Sequence, residues 1–306
     1  TSASVRAMPR RVAIAVMSFD RPAYLERVLQ SVVSQKAMRE MVPQFFLFQD
    51  GAVSARSGKR VAEARNIDEA QACFARYLPD GHIMAAEHNL GVALNFDRAE
   101  TRLFEEMGFE TAIFLEDDLL LQPGYFRIME TLLGFAAGRD DIGMVSARGY
   151  RNETPLAEQR RRAGEIRIMD EHNWAFGMHR DAWRARARVL EPYLDLMRQV
   201  DYRARDKGDT KVRVHALQKS LGRHGRGYLS SQDSMKNMAF ELIGRHRITT
   251  FTNNARYIGR VGLHSNEEKF AARGHQRTVL YDAVPEAFVL PEPDALRRMR
   301  LGLQYR

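Results

Sequence analysis

The sequence has 306 residues, of which 44% are hydrophobic and 28% are charged. This composition is typical of a globular protein and excludes a mainly disordered chain. The apolar runs fall far short of the ~20 residues that a membrane-spanning helix needs, and no apolar leader opens the sequence, so we expect a soluble chain. The single cysteine, Cys73, excludes an internal disulfide, no Cys/His spacing indicates zinc, and the expected compartment is the cytoplasm.

Basic residues outnumber acidic ones by 47 to 39, which gives a formal net charge of +8. Such an excess favours anionic partners: nucleic acid, anionic lipid headgroups or phosphorylated small molecules. The excess is concentrated at 151–167, at 203–226 and near the C-terminus. Most charge runs are solvated surface, and the aromatic residues are not interleaved with these runs in a base-reading pattern. We therefore expect no nucleic-acid partner.

The first 147 residues alternate short β-rich apolar runs with segments of helical period, which predicts a parallel sheet covered by helices. In chain order the predicted elements are a strand at 12–16, a helix opened by Pro22, a strand at 45–48, a helix near 59–77, a strand at 82–86, a helix at 92–107 stopped by Gly108, a strand at 111–115, a helix at 122–137 and a strand at 142–145.

The pattern becomes less regular after residue 150. The segments 151–170 and 203–228 are polar, basic and punctuated by glycine, which predicts loops or mobile lids. We expect one compact unit with a nucleotide-binding α/β half at 1–147. The remainder, 148–306, is expected to be an irregular acceptor-side half with basic loops and a C-terminal helix.

Three consecutive carboxylates, Glu116, Asp117 and Asp118, follow the strand predicted at 111–115. Like charges at this spacing repel each other, and burial adds to the penalty, so a positive group must compensate them. A divalent cation is one solution, because oxygen ligands suit Mg²⁺ or Mn²⁺ and phosphate oxygens complete such sites. The alternative is a helix start, since Pro123 follows and acidic residues favour helix N-termini.

Polar residues also follow the other predicted strands. If the sheet is parallel, these strand ends meet at one edge, where open α/β sheets bind ligands. Each residue also has a simpler interpretation as a cap, a turn or a surface histidine. No glycine-rich dinucleotide or P-loop motif is present. The residues are Ser18, Asp20 and Arg21 after the first strand, Asp50 after the second, and His88 and Asn89 after the third.

These motifs together resemble the GT-A glycosyltransferases. The order Asp20-Arg21-Pro22, Gln49-Asp50-Gly51, His88-Asn89-Leu90-Gly91, then Glu116-Asp117-Asp118 is most similar to the N-acetylglucosaminyltransferase I group, which carries an E-D-D metal motif. The resemblance implies a Rossmann-like, mostly parallel sheet flanked by helices and the use of a nucleotide-sugar. The single cysteine indicates a bacterial cytoplasmic relative.

The resemblance extends more thinly into the second half. Asn173 to Gly177 is similar to the glycine-containing acceptor loop of the family, with Trp174 and Gly177 as acceptor-binding candidates. Asp233 lies where the family carries its catalytic base, and His264 lies in a late glycine-histidine turn. Asp233 has an alternative interpretation as the N-cap of the following helix, and a lone histidine in such a turn is more often structural.

The resemblance also implies roles for the residues at the sheet edge. Asp118 would bind Mn²⁺ or Mg²⁺ directly, with His264 as a further candidate for the metal or the diphosphate. Glu116 and Asp117 would contact the ribose or the donor sugar. Asp50 would contact the uracil and Arg21 the nucleotide. Asp233 would take the proton of the acceptor hydroxyl.

The leading hypothesis is a metal-dependent, inverting transferase that moves a sugar, GlcNAc or a similar hexose, from a UDP-sugar to a glycan or glycolipid. Its basic surface would suit peripheral contact with the inner face of an anionic membrane, or it would attract a phosphorylated saccharide. One alternative is a nucleotidyltransferase that makes activated sugars, although the segment 18–22 lacks its basic glycine-rich loop. The other is a non-catalytic protein that binds glycan or nucleic acid.

Overall fold

The computed structural model describes residues 10–169, 172–222, 230–262 and 266–304. An eight-stranded sheet lies at its centre, in the order β3-β2-β1-β4-β8-β6-β9-β7, and β5 and β10 form a separate antiparallel pair. The strands are β1 (Arg10–Ser18), β2 (Met41–Gln49), β3 (His82–Ala85), β4 (Thr111–Glu116), β5 (Leu119–Leu121), β6 (Ile142–Ser146), β7 (Ile166–Ile168), β8 (Phe176–His179), β9 (His246–Thr250) and β10 (Ala255–Tyr257).

Helices flank the sheet, and the predicted α/β class with a mostly parallel sheet is confirmed. They are α1 (Pro22–Val33), α2 (Ala64–Tyr77), α3 (Gly91–Thr101), α4 (Tyr125–Ala136), α5 (Leu156–Arg161), α6 (Arg180–Arg198), α7 (Gly208–Ser220), α8 (Gln232–Leu242), α9 (Glu267–Ala272) and α10 (Pro293–Gln304). Within the described ranges, no helix is long and apolar enough to cross a membrane.

The elements of the first half follow the sequence pattern closely. Helix α1 begins at Pro22. Proline suits this position because the N–H groups of the first turn have no partner within the helix. The helix buries the predicted face of Leu25, Val28, Leu29 and Val32. Helix α3 continues as a π-helical turn to Glu106, and the chain then leaves the helix through Gly108, at φ +71°. Helix α2 begins later than predicted, at Ala64, and the strand β5 was not predicted.

The strand order reverses beside β1. This strand pairs in parallel with β2 on one side and with β4 on the other, with Ser18 opposite Gln49 and Met17 opposite Glu116. The carboxyl ends of all three strands therefore open at the same edge of the sheet. In open α/β sheets, the crevice at such a reversal is where ligands bind.

The second half is more regular than predicted. Strands β7, β8 and β9 complete the same sheet, with β8 antiparallel to both β4 and β6. The predicted loop at 151–170 contains α5 and β7, and the predicted loop at 203–228 contains α7. Both loop predictions were wrong because these elements are short or expose most of their surface; only Val214 and Gln218 of α7 are buried.

Three charged side chains form a buried cluster between the helices on one face of the sheet. The Glu100 carboxylate accepts hydrogen bonds from Arg186 Nη2 at 2.6 Å and from Lys236 Nζ at 2.7 Å, and none of the three side chains is more than 2% exposed. Burial lowers the pKa of Lys236, while its contact with Glu100 opposes that change. The single carboxylate thus joins α3, α6 and α8, which are far apart in the chain.

We predict that Glu100→Gln lowers the free energy of unfolding by about 3–5 kcal/mol, because two buried cations lose the carboxylate that they share. Urea denaturation followed by circular dichroism measures the change. The matched control is Glu105→Gln, which removes an exposed ion pair with Arg184 and should cost less than about 1 kcal/mol. Equal effects of the two substitutions would contradict the assigned role.

Candidate functional site

The acidic segment lies at the reversal of the sheet, where β1 and β4 end side by side. Asp117 N donates to Met17 O at 3.1 Å, and Phe19 N lies 3.3 Å from Asp117 Oδ2. The Asp117 and Asp118 side chains are 4% and 7% exposed. The segment after β1 therefore packs directly against the acidic segment after β4, as the pairing of parallel strands requires.

Arg21 supplies the positive charge that these carboxylates need. Its guanidinium donates to Asp117 Oδ1, and its Nη1 lies 2.8 Å from Asp118 Oδ2. The Arg21 side chain is 26% exposed, so it lies at the mouth of the cluster. The Arg21 guanidinium thus pairs with carboxylate oxygens at the site where the sequence predicted a metal.

Electrostatic repulsion persists in spite of Arg21. Burial raises the pKa of the Glu116 carboxyl well above its ordinary value, and the charges of Asp118, Asp233 and Asp117 raise it further. Burial also raises the pKa of Asp118 to about 6, although Arg21 lowers it. Asp20 has a raised pKa from burial as well. The crevice is therefore short of positive charge and suits a cationic ligand or cofactor.

Asp233 reaches the same crevice from the first turn of α8. Its carboxylate lies 3.6 Å from His172 Nδ1 and accepts a hydrogen bond from Gln232 Nε2 at 2.6 Å. Its charge contributes to the raised pKa of Glu116, more than 100 residues away in the chain. The N-cap interpretation is wrong, because Ser231 caps the helix and accepts a hydrogen bond from Ser234 N at 3.2 Å.

A stack of aromatic rings connects the two acidic parts of the crevice. Trp174, 9% exposed, stacks with His172 and with Tyr257, each at a centroid distance of 4.6 Å. His172 contacts Asp233, and the Tyr257 hydroxyl and Asp118 Oδ2 both face Gly259, where a Cβ would lie within 2.5 Å of either oxygen. His172 and Tyr257 were not predicted; their only signal in the sequence is that His172 lies near Trp174.

Tyr202 is a third residue that the sequence did not indicate. Its Cβ is so close to Gly91 that a Cβ at position 91 would lie 2.3 Å away, and Gly91 also has φ +76°. The pKa of the Tyr202 hydroxyl is raised by burial and by Asp233, Asp206 and Glu116, while Arg205 opposes this change. Tyr202 therefore lies beside the acidic crevice and packs on the start of α3.

Asp50 has a structural role that goes beyond the turn that the sequence suggested. Its carboxylate accepts hydrogen bonds from Gly51 N, Leu90 N, Gly91 N and Asn89 Nδ2, at 2.7–3.0 Å. It therefore holds the chain that enters α3, and burial raises its pKa to about 6 in spite of these donors. Its predicted contact with uracil would require it to share these oxygens.

The other predicted residues lie in varied surroundings. Ser18 is 4% exposed, and its Oγ is buried without a hydrogen-bond partner in the described structure. The His88 side chain is 47% exposed. Gly177 lies within β8 rather than in the predicted acceptor loop, where a Cβ would meet Met129 and Leu133 in the core. His264 lies outside the described residues.

The basic run at 151–167 is largely paired with acidic residues. Arg162 lies 2.8 Å from Glu165 and 3.0 Å from Glu158, and Arg167 lies 2.9 Å from Glu165. Arg160 pairs with Asp282 at 2.5 Å. This part of the basic excess is thus a surface of ion pairs, in agreement with the solvated interpretation.

The residues present fit a divalent cation. Glu116 and Asp118 offer only carboxylate oxygens, and Gly259 leaves space beside Asp118 Oδ2 that any side chain would fill. Across the described ranges, no three His, Cys, Asp or Glu side chains form a metal-binding group. A Mg²⁺ ion that binds phosphates is usually held by one or two carboxylates, with phosphate and water oxygens as the other ligands.

No protein-family model matches the sequence, and no curated protein matches it. Similar solved structures include TarS 1–349 from S. aureus, at 11% identity and a TM-score of 0.37 over 60% of this chain and 49% of that chain. They also include the mannosyltransferase PcManGT from Pyrobaculum calidifontis in complex with GDP-Man and Mn²⁺, at 13% identity and a TM-score of 0.41 over 80% of this chain and 57% of that one. The chain thus spans about half the length of each. Likeness at this level carries no inference about function.

His275 packs against the aromatic stack, in surroundings that favour its neutral form. It is 5% exposed, and its ring centroid lies 5.0 Å from that of Tyr257 and 5.4 Å from that of Trp174. Burial, and then the charges of Arg148, Arg273 and His172, lower its pKa to about 4. A histidine in the unfolded chain binds its proton near pH 6.5. The contribution of neutral His275 to the free energy of unfolding is therefore fully present above that pH and is lost as the pH falls toward 4.

We predict that His275→Gln removes this dependence. Between pH 7.5 and pH 4, the wild-type protein should lose up to about 3 kcal/mol more of its free energy of unfolding than the variant loses. Denaturant unfolding at a series of pH values measures the difference. His88→Gln, at an exposed position, is the control and should follow the wild type. Parallel curves for the wild type and His275→Gln would show that His275 is not the group responsible.

Proposed function

We propose that the chain is a metal-dependent, inverting glycosyltransferase of the GT-A type that transfers a sugar from a UDP-sugar to a hydroxyl group of a glycan or glycolipid. The donor sugar is GlcNAc or a similar hexose, by the resemblance of the E-D-D segment to the N-acetylglucosaminyltransferase I group. One observation carries the proposal: the acidic segment Glu116 to Asp118 lies at the reversal of the sheet, where β1 and β4 end side by side and Arg21 pairs with Asp117 and Asp118.

The donor side of the proposed reaction is formed by the ends of β1, β2 and β4. Asp118 would hold the divalent cation, Mn²⁺ or Mg²⁺, and a bound cation would neutralise the charge that develops on the departing diphosphate. Arg21, at the mouth of the cluster, would bind the nucleotide. Glu116 and Asp117 would contact the ribose or the sugar, and Asp50 and Asn89 would line the base side.

Asp233 is the proposed catalytic base. In an inverting transfer, the acceptor oxygen forms a bond to the anomeric carbon as the bond from that carbon to the diphosphate oxygen breaks. Asp233 takes the proton of the acceptor hydroxyl, and UDP leaves. Gln232 Nε2, 2.6 Å from Asp233 Oδ1, and His172, 3.6 Å from Asp233 Oδ2, orient its carboxylate.

The acceptor side is proposed to lie along the aromatic stack. His172 is 43% exposed at its side chain and contacts both Trp174 and Asp233, so an acceptor ring above it would bring a hydroxyl toward the base. We also propose that the enzyme acts in the cytoplasm and contacts the inner face of the membrane through its basic surface. Arg151, which lies over the Tyr150 ring, is one cation of that surface.

We predict that UDP together with Mn²⁺ raises the Tm of the wild-type protein and does not raise that of Asp118→Asn. Saturation at 100 times the Kd should add about 2.7 kcal/mol to the free energy of unfolding. Asp282→Asn is the control, because it removes a carboxylate from an exposed ion pair. The donor assignment fails if other nucleotides stabilise the protein and UDP with Mn²⁺ does not.

We predict that Asp233→Asn lowers the turnover of a UDP-sugar by a factor of ~10²–10⁴, because the amide cannot accept the proton. Release of UDP from a panel of UDP-sugars with Mn²⁺ measures turnover, and calorimetry should show an unchanged Kd for UDP. Asp294→Asn is the matched control: this acidic residue also lies in the first turn of a helix and is 77% exposed. Full turnover by Asp233→Asn would assign the base elsewhere.

A further inference from the structure

Arg21 and a metal would compete for the same carboxylate. Arg21 Nη1 lies 2.8 Å from Asp118 Oδ2, and the same guanidinium also holds Asp117. A divalent cation on Asp118 would stand next to this guanidinium, and two positive charges in a partly buried site repel strongly because water screens them poorly. Arg21 thus occupies the Asp118 oxygen that a cation would bind, and its charge weakens the attraction that the carboxylates still exert on that cation.

A diphosphate changes this balance. Its oxygens offer Arg21 a bidentate partner of the kind that guanidinium groups prefer, and its negative charge offsets the cation. Arg21 is able to respond, because its side chain is 26% exposed at the mouth of the crevice. The segment above it presents glycine: a Cβ at position 262 would lie 3.1 Å from Arg21 Nη1, so the absence of a side chain leaves space there.

We propose that Arg21 is the resident counter-ion of Asp118 and makes the metal and the nucleotide bind as a pair. The nucleoside diphosphate draws the guanidinium from Asp118 to its phosphate oxygens, and the carboxylate oxygen that is released takes the divalent cation. The free protein then binds the metal weakly, and each ligand increases the affinity for the other by the same factor. This inference rests on the proposed function and adds a coupling to it.

The test is the binding of Mn²⁺, measured by the electron paramagnetic resonance signal of free Mn²⁺ with and without UDP. For the wild type, we expect UDP to lower the Kd for Mn²⁺ by at least tenfold. Arg21→Gln should bind Mn²⁺ without UDP at least tenfold more tightly than the wild type does, and its response to UDP should be smaller. Arg21→Lys keeps the charge but cannot bridge two carboxylates in the same way, so it should be intermediate.

The controls separate a local effect from a general one. Arg27→Gln removes the same charge from an exposed position of α1 and should bind Mn²⁺ like the wild type. Asp118→Asn should abolish binding in every arm, which locates the ion. Thermal unfolding of each variant in the absence of ligands checks that it is folded, and Arg21→Lys serves if Arg21→Gln is not.

The outcomes distinguish the two proposals. If Mn²⁺ binds neither to the wild type nor to any variant, even with UDP, the metal-dependent function itself is wrong. If Mn²⁺ binds the wild type equally well with and without UDP, or if loss of the Arg21 charge does not tighten binding, the coupling is wrong and the proposed function remains. The coupling is supported if UDP tightens Mn²⁺ binding to the wild type, while Arg21→Gln binds Mn²⁺ more tightly without UDP and responds less to UDP.

Discussion

The ion pairs of Arg21 with Asp117 and Asp118 are the contact on which the candidate site depends. Adjacent carboxylates at the end of a buried strand repel each other and are costly to bury without a compensating charge. Arg21 follows the neighbouring strand, and the parallel pairing of β1 with β4 brings it to the acidic segment across 96 residues of sequence. The crevice therefore exists because the reversal of strand order puts the ends of these two strands together.

The rest of the site depends on contacts that attach the second half of the chain to this edge. Glu100 joins α3 to α6 and α8 through buried ion pairs, and α8 carries Asp233. The stack of His172, Trp174 and Tyr257 then extends from Asp233 toward Asp118. Because each of these groups belongs to a packed core or an ion cluster, the acidic residues are held in place before any ligand binds, which is the preorganisation that the proposed transfer would need.

The regular part of the fold could be predicted because its signals are local. Each strand of the first half is a short apolar run, and α1 shows its buried face directly as Leu25, Val28, Leu29 and Val32. The errors arose where the local signal is weak: α7 buries little of its surface, and β7 has only three residues. The glycine at position 177 led to the prediction of a loop. In the structure, Gly177 lies within a strand and allows close packing against Met129 and Leu133, a contact that no local pattern reveals.

The sequence by itself determined the α/β class, the order of the first elements and the cluster of polar residues at one sheet edge, because apolar periodicity and strand-end chemistry act over a few residues. Only the tertiary structure decided that Arg21 neutralises Asp117 and Asp118, that Ser231 rather than Asp233 caps α8, and that His172, Tyr202 and Tyr257 surround the crevice. These are contacts between segments distant in sequence, set by strand pairing and core packing, and the charge on a side chain does not specify which distant partner the fold will bring to it.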